Sequence, residues 1–213
     1  MTSTASTALI LTDFPEIAGV QRGIYRVLEK PLIEYVLEAV PDEVDEIIIA
    51  AGREEAGKAY ADVAEKYFAK LEIYPPGLTR VLKESMSSSK SERFLILPCD
   101  SPLLTQSFTK FLLDACEKFT AVIIRDANGR SDYLFSCFRR FEFLEAAESA
   151  GSEDMDLIVQ RIRNAIYFYR RSLRFLDEKL LFMFRVTNVT DAKRAERLLR
   201  ARQGGEWYRG PDI

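Results

Sequence analysis

The chain contains no histidine. That removes Ser-His-Asp and Cys-His nucleophilic catalysis, together with most imidazole-ligated metal sites. Its three cysteines, Cys99, Cys116 and Cys137, stand far apart, with no Cys-x-x-Cys pair. Neither a zinc site nor a disulfide framework is expected, and a reducing cytoplasm fits. No apolar run approaches the roughly 20 residues that a membrane-spanning helix needs. Met1 to Thr7 is small and polar without basic residues, so a signal peptide is not expected. There is little net charge, -3 at neutral pH, and so no global attraction to nucleic acid or to an anionic membrane. What remains is chemistry run by carboxylates, Lys, Arg, Tyr or a hard metal ion. Phosphoryl and nucleotidyl transfer fit that restriction, because they depend on positioning and electrostatics more than on proton shuttling.

What is present is a core. With 213 residues, 47% apolar and 30% charged, the chain is long enough for one α/β domain and long for two. Residues 1–7 read as a flexible start and 204–213 as a tail. Ala8–Leu11, Glu46–Ala50, Leu71–Tyr74 and Phe94–Leu97 are short apolar runs, as strands buried on both faces would be. Between them lie segments of helical period: one opened by Pro31, a charged one over Glu54–Lys70, and one after the Pro75-Pro76-Gly77 bend. The Asn128-Gly129 turn predicts a hairpin joining Thr120–Ile124 to Tyr133–Phe138. Helices follow over Phe141–Ala150 and Asp154–Arg163, strands over Ala165–Tyr169 and Leu181–Val186, and a last helix over Asp191–Arg202. Strands alternating with helices argue for a mostly parallel sheet in a three-layer α/β/α sandwich.

One stretch stands out, Arg93-Phe94-Leu95-Ile96-Leu97-Pro98-Cys99-Asp100-Ser101-Pro102. A buried strand here ends in a carboxylate held between two prolines of locked φ. In an open parallel sheet, ligands sit beyond such strand ends. Two readings of Asp100 stand: a Mg²⁺ ligand, or a cap for the following turn. Taken alone, Arg22, in the loop after the first strand, reads as a solvated charge, and Asn188 as a turn residue before the last helix. Arg161, Arg163, Arg170, Arg171 and Arg174 form a basic region suited to an anionic acceptor or to water. Trp207 and Tyr208 in the tail are the only hint of a second copy of the chain as partner.

The order of these segments resembles the MobA-like nucleotidyltransferases, the molybdenum-cofactor guanylyltransferase family. In that family a first strand leads into a glycine-rich phosphate loop ending near a lysine. A Gly-Lys-Pro-Leu helix start, a Pro-Cys-Asp-x-Pro metal site and an Asn-rich turn before the last helix follow. Here Lys30-Pro31-Leu32, Pro98-Cys99-Asp100-Ser101-Pro102 and the Asn188 turn occupy those places, over most of the span from Ala8 to Arg202. The resemblance implies a Rossmann-like nucleotidyltransferase fold with Mg²⁺ as cofactor. It implies a nucleoside triphosphate, GTP first, and a phosphorylated acceptor such as molybdopterin or cobinamide phosphate. It assigns nucleotide contact to Leu11, Thr12, Asp13, Gly19, Arg22 and Asp100, catalysis to Arg22 and Asp100, and metal binding to Asp100 and Asn188. The first loop departs from the pattern. Thr12-Asp13-Phe14 stands where the family has Ala-Gly-Gly, Pro15 lacks a donor, and Arg22 stands where the lysine would be. A descendant that binds a nucleotide or a partner without turnover is therefore the alternative.

Overall fold

A computed structural model describes residues 5–203. The expected tail at 204–213, with Trp207 and Tyr208, lies outside the described residues. The chain runs through β1 (Ser6–Leu11), β2 (Arg26–Val27), β3 (Lys30–Pro31), α1 (Leu32–Leu37), β4 (Glu46–Ala51), α2 (Glu54–Lys58), α3 (Ala61–Lys66) and β5 (Lys70–Ile73). It continues with α4 (Leu78–Ser88), β6 (Arg93–Pro98), α5 (Gln106–Ala115), β7 (Ala121–Arg125), β8 (Ser131–Arg139), α6 (Arg140–Ala150), α7 (Met155–Val159), β9 (Ala165–Tyr169) and α8 (Val189–Gln203). Seven strands form one sheet in the order β5-β4-β1-β6-β8-β7-β9. Only β8 runs against the rest, because the Asn128-Gly129 turn returns the chain directly from β7. β2 and β3 pair as a separate two-stranded ribbon.

Alternation along the strands builds the layers. Ala8, Ile10, Ile49, Leu95 and Leu97 face one way and pack on α1, α3 and α5. Leu9, Leu11, Ile48, Phe94 and Ile96 face the other way and pack on α4, α6 and α7. The sheet is thus covered on both faces, and its central strands are apolar throughout because neither side meets water. From β1 the chain steps outward to β4 and β5, then crosses back to place β6 on the other side of β1. That reversal falls at the carboxyl ends of β1 and β6, the place where such sheets bind ligands. α8 closes the molecule beside it. Its Ala192, Ala195 and Leu199 pack with Ile17, Val27, Leu32 and Val186 in a third, smaller core.

Several local expectations change. Ser6 and Thr7, expected within a flexible start at 1–7, are buried in β1. Pro31 is not the first helical residue: its ψ of 141° is extended, and α1 begins at Leu32. The single helix over Glu54–Lys70 is two short ones. Between them Tyr60 turns fully inward, and its hydroxyl accepts a hydrogen bond from the Gly23 N–H at 3.2 Å. The helix over Asp154–Arg163 stops at Val159. Leu181–Val186 is not a strand but a single 3-10 turn, Leu181–Met183, leading into an extended segment. Phe182 anchors that turn by stacking on Phe108 of α5, with ring centroids 4.2 Å apart.

Phe108 is completely buried, whereas Phe68 is 96% exposed. Phe108→Ala is expected to cost about 3–5 kcal/mol of unfolding free energy in a urea titration. Phe68→Ala is expected to stay within about 0.5 kcal/mol of the parent. Equal effects at the two positions would contradict this packing.

Candidate active site

Asp100 follows β6 and is fully buried. Its backbone is tied on both sides. The Cys99 N–H donates to the Leu11 carbonyl at 3.0 Å, and the Asp100 carbonyl accepts from the Val186 N–H at 2.8 Å. Its carboxylate receives two guanidinium groups. Arg22 donates from Nη1 to Oδ2 at 3.1 Å. Arg185 donates from Nε to Oδ1 at 2.7 Å and from Nη2 to Oδ2 at 2.8 Å, a bidentate fork. The Phe14 ring lies against both cations, 4.4 Å from the Arg185 guanidinium carbon and 5.4 Å from that of Arg22. Burial opposes the charge on Arg185, but the Asp100 carboxylate outweighs it and holds the guanidinium more firmly protonated than usual. Burial, and then the Asp100 charge, push the Cys99 thiol well up, so Cys99 is not a thiolate nucleophile. Half-buried Asp132, at the start of β8, has its carboxyl raised by desolvation against the pull of the Leu134 N–H, Arg185 and Arg170.

The first loop is a compact turn. Ala18 and Gly19 both have positive φ, 50° and 77°. The Ile17 N–H donates to the Val20 carbonyl at 2.9 Å, and the Val20 N–H returns to Ile17 at 3.0 Å. Two positive-φ residues between a reciprocal pair make a miniature hairpin of the primed type. These amides are spent on one another rather than turned toward a ligand. Arg22 leaves the loop with its Nε bonded to the Pro15 carbonyl at 2.9 Å. Gly23 must be glycine here, since a Cβ would meet the Tyr60 ring at 2.7 Å. Leu11, Thr12 and Asp13 line a cavity of about 120 Å³ with Gly52, Leu78 and Val81. Asp13 lies over Gly52, where a Cβ would come 2.8 Å from its carboxyl carbon.

Of the residues singled out from the sequence, Arg22 and Asp100 are in direct contact. Leu11, Thr12 and Asp13 line the neighbouring cavity, and Gly19 sits in the hairpin turn. Asn188 does not reach Asp100. Its Oδ1 accepts the Asp191 N–H at 3.0 Å and its Nδ2 donates to the Asp191 carboxylate at 2.9 Å, so it serves the start of α8. The basic residues are split by β9. Arg161 and Arg163 precede it, and Arg170, Arg171 and Arg174 follow it at its other end. Sequence reasoning missed Arg185. The signal was a lone arginine interrupting the apolar run Leu181–Val186.

The resemblance implies a divalent cation on Asp100 and Asn188. The donors present do not fit one. Both Asp100 oxygens accept from guanidinium groups, and the Asn188 oxygen is committed to a backbone N–H. Among the described residues, no group of three or more His, Cys, Asp or Glu is placed to hold a metal ion.

Two outcomes follow for stability. Asp100→Ala leaves two cations without their shared carboxylate and is expected to cost about 3–5 kcal/mol in urea unfolding. Asp132 binds its proton more tightly folded than unfolded. Its ionisation therefore subtracts stability as pH rises from about 3.9 through its raised native value. Asp132→Asn is expected to gain on the parent across that window, checked by melting temperature against pH. An unchanged difference between pH 3 and 7 would contradict the assignment.

Comparisons with known proteins bear on this geometry. Residues 18–165 match the model of the MobA-like NTP transferase domain. A molybdenum cofactor guanylyltransferase of Shewanella woodyi is 25% identical over 116 residues, which is 54% of this chain and 58% of that relative. The chain thus spans little more than half the length of that relative. One from Shewanella amazonensis is 22% identical over 188 residues, 87% of this chain and 90% of the relative. In fold, the chain is similar to the molybdopterin-guanine dinucleotide biosynthesis protein A of Archaeoglobus fulgidus, with a TM-score of 0.71 at 19% identity, covering 92% of this chain and 98% of that one. With the Pro-Cys-Asp-Ser-Pro strand end in place and the model matched over most of its length, this chain belongs to the MobA-like NTP transferase domain family.

Proposed function

We propose that the crevice between β1 and β6 binds a nucleoside triphosphate, and that the chain passes its nucleotidyl group to a phosphorylated acceptor with release of pyrophosphate. GTP and molybdopterin are the first substrates to try, because the curated relatives are named molybdenum cofactor guanylyltransferases. The observation that carries this reading is the convergence of Arg22, Asp100 and Arg185 at the switch point of the sheet. Charge grows on the leaving pyrophosphate during nucleotidyl transfer, and preorganised guanidinium groups are suited to meeting it. The small apolar cavity at Leu11, Gly52 and Val81 is suited to a flat base beside the phosphates. Asp100 would then be a positioning residue that holds the arginines. The expectation of Mg²⁺ on Asp100 and Asn188 would require Arg185 to leave the carboxylate, and no step here is drawn through such an ion.

A second reading, a nucleotide- or partner-binding module without turnover, has its own support. The first loop spends its Ile17 and Val20 amides internally, where a phosphate cradle would present them. Calorimetry with GTP, CTP and ATP, followed by pyrophosphate release in the presence of molybdopterin, separates the two. The transfer reading expects one triphosphate to bind and pyrophosphate to appear only with acceptor. Arg22→Ala should slow that release by about 10²-fold or more. Binding without release would support a nucleotide-binding module instead, and no binding of any triphosphate would sink the transfer reading and leave only the partner-binding module.

A further inference from the structure

The disagreement between the carboxylate and a metal ion has a positive content. Arg22 and Arg185 contribute two positive charges and Asp100 only one negative, so one positive charge is left at the crevice. Asp132 lies within electrostatic reach of Arg185, Arg170 and Asp100. Each guanidinium has five N–H donors in a fixed plane. Arg22 spends Nε on Pro15 and Nη1 on Asp100, while Arg185 spends Nε and Nη2 on Asp100. Among the described residues, Arg22 Nη2 and Arg185 Nη1 donate to no protein acceptor, yet neither is among the buried polar atoms left without a partner. The Arg185 side chain is 23% exposed and that of Arg22 8%. Two forks are held by one carboxylate and one aromatic face, with Arg185 the more open to solvent. That is an arrangement built to receive oxygens of an anion.

We propose that Arg22 and Arg185, locked by Asp100, form a receptor for a polyphosphate chain that works without a divalent cation, the guanidinium pair standing where the metal would be. The proposal rests on the nucleotide reading only for the source of the phosphates, which is a nucleotide or a free polyphosphate. A hard dication would have to displace Arg185 from a bidentate, buried contact before it reached a single Asp100 oxygen. A phosphate oxygen meets the remaining donors with that contact intact.

The probe is sodium tripolyphosphate, titrated calorimetrically into the full chain in EDTA and again in millimolar Mg²⁺, with GTP as a parallel arm. The expected result is binding in EDTA that Mg²⁺ leaves unchanged or weakens, with affinity falling steeply as salt rises. Arg185→Asn should lower the EDTA affinity by at least about tenfold, and Arg185→Lys should fall between it and the parent. Arg174→Ala, an exposed arginine beyond the site, should change nothing. Should Arg185→Asn fail to fold, the lysine variant and the EDTA comparison still decide. Binding that needs Mg²⁺, or that Mg²⁺ strengthens tenfold, overturns the proposal. So does equal loss in Arg185→Lys and Arg174→Ala, which would mark a diffuse surface effect. Tripolyphosphate bound in EDTA with GTP refused keeps this receptor and removes the nucleotide reading. GTP bound only with Mg²⁺ does the reverse.

Discussion

A carboxylate with no exposure to water cannot stand alone. Left unpaired at Asp100, it would cost several kcal/mol in desolvation or give up its charge. The protein meets this constraint with two arginines, one 78 residues before it and one 85 residues after it. Much of the carboxyl edge of the sheet is arranged to bring those two guanidinium groups to one place. The pairing is not cheap stability, since such clusters often do no better than apolar packing. Its consequence is positional: removing Asp100 leaves two neighbouring cations without their shared carboxylate, so the three segments are held together.

Each arginine has its own support. Arg22 precedes a glycine whose N–H is held by the hydroxyl of Tyr60, a side chain that reaches the core because the charged helix breaks between Lys58 and Ala61. Arg185 follows a turn pinned by Phe182 on Phe108, and its neighbour Val186 bonds to the Asp100 backbone. Phe14, bulky in the position of a phosphate loop, is used as a stacking face for both cations. The substitutions that spoil a glycine-rich cradle thus supply the parts of a different site. Pro15 gives a carbonyl to Arg22, and Asp13 turns aside onto Gly52.

The chain therefore joins a shared scaffold to an altered centre. The fold is shared with the Archaeoglobus fulgidus protein, and the Pro-Cys-Asp-Ser-Pro strand end lies within the residues that match the MobA-like family. What surrounds Asp100 is guanidinium rather than a ring of backbone amides. A guanidinium fork is directional and needs no other ion to neutralise phosphate charge, which is the physical basis for treating the centre as an anion receptor.

Much of the fold was legible in the residues, because burial on two faces leaves a signature that does not depend on partners. Four apolar runs, a hairpin turn at Asn128-Gly129 and helical spacing between them were sufficient to imply a mostly parallel layered sheet. Asp100 could be named from local context, a carboxylate between prolines at a strand end, whereas Arg22 was named through the family resemblance, as the cation at the end of the first loop. What the sequence could not decide was where long side chains point. Arg185 lay inside an apolar run that reads as a strand, and only the stacking of Phe182 on Phe108 turns that run into a bend aimed at Asp100. Asn188 has the composition of a ligand and of a cap, and its hydrogen bonds to Asp191 make it the cap. Strand identity follows from local hydrophobic pattern, whereas the pairing of one carboxylate with two arginines is decided by contacts across some eighty residues.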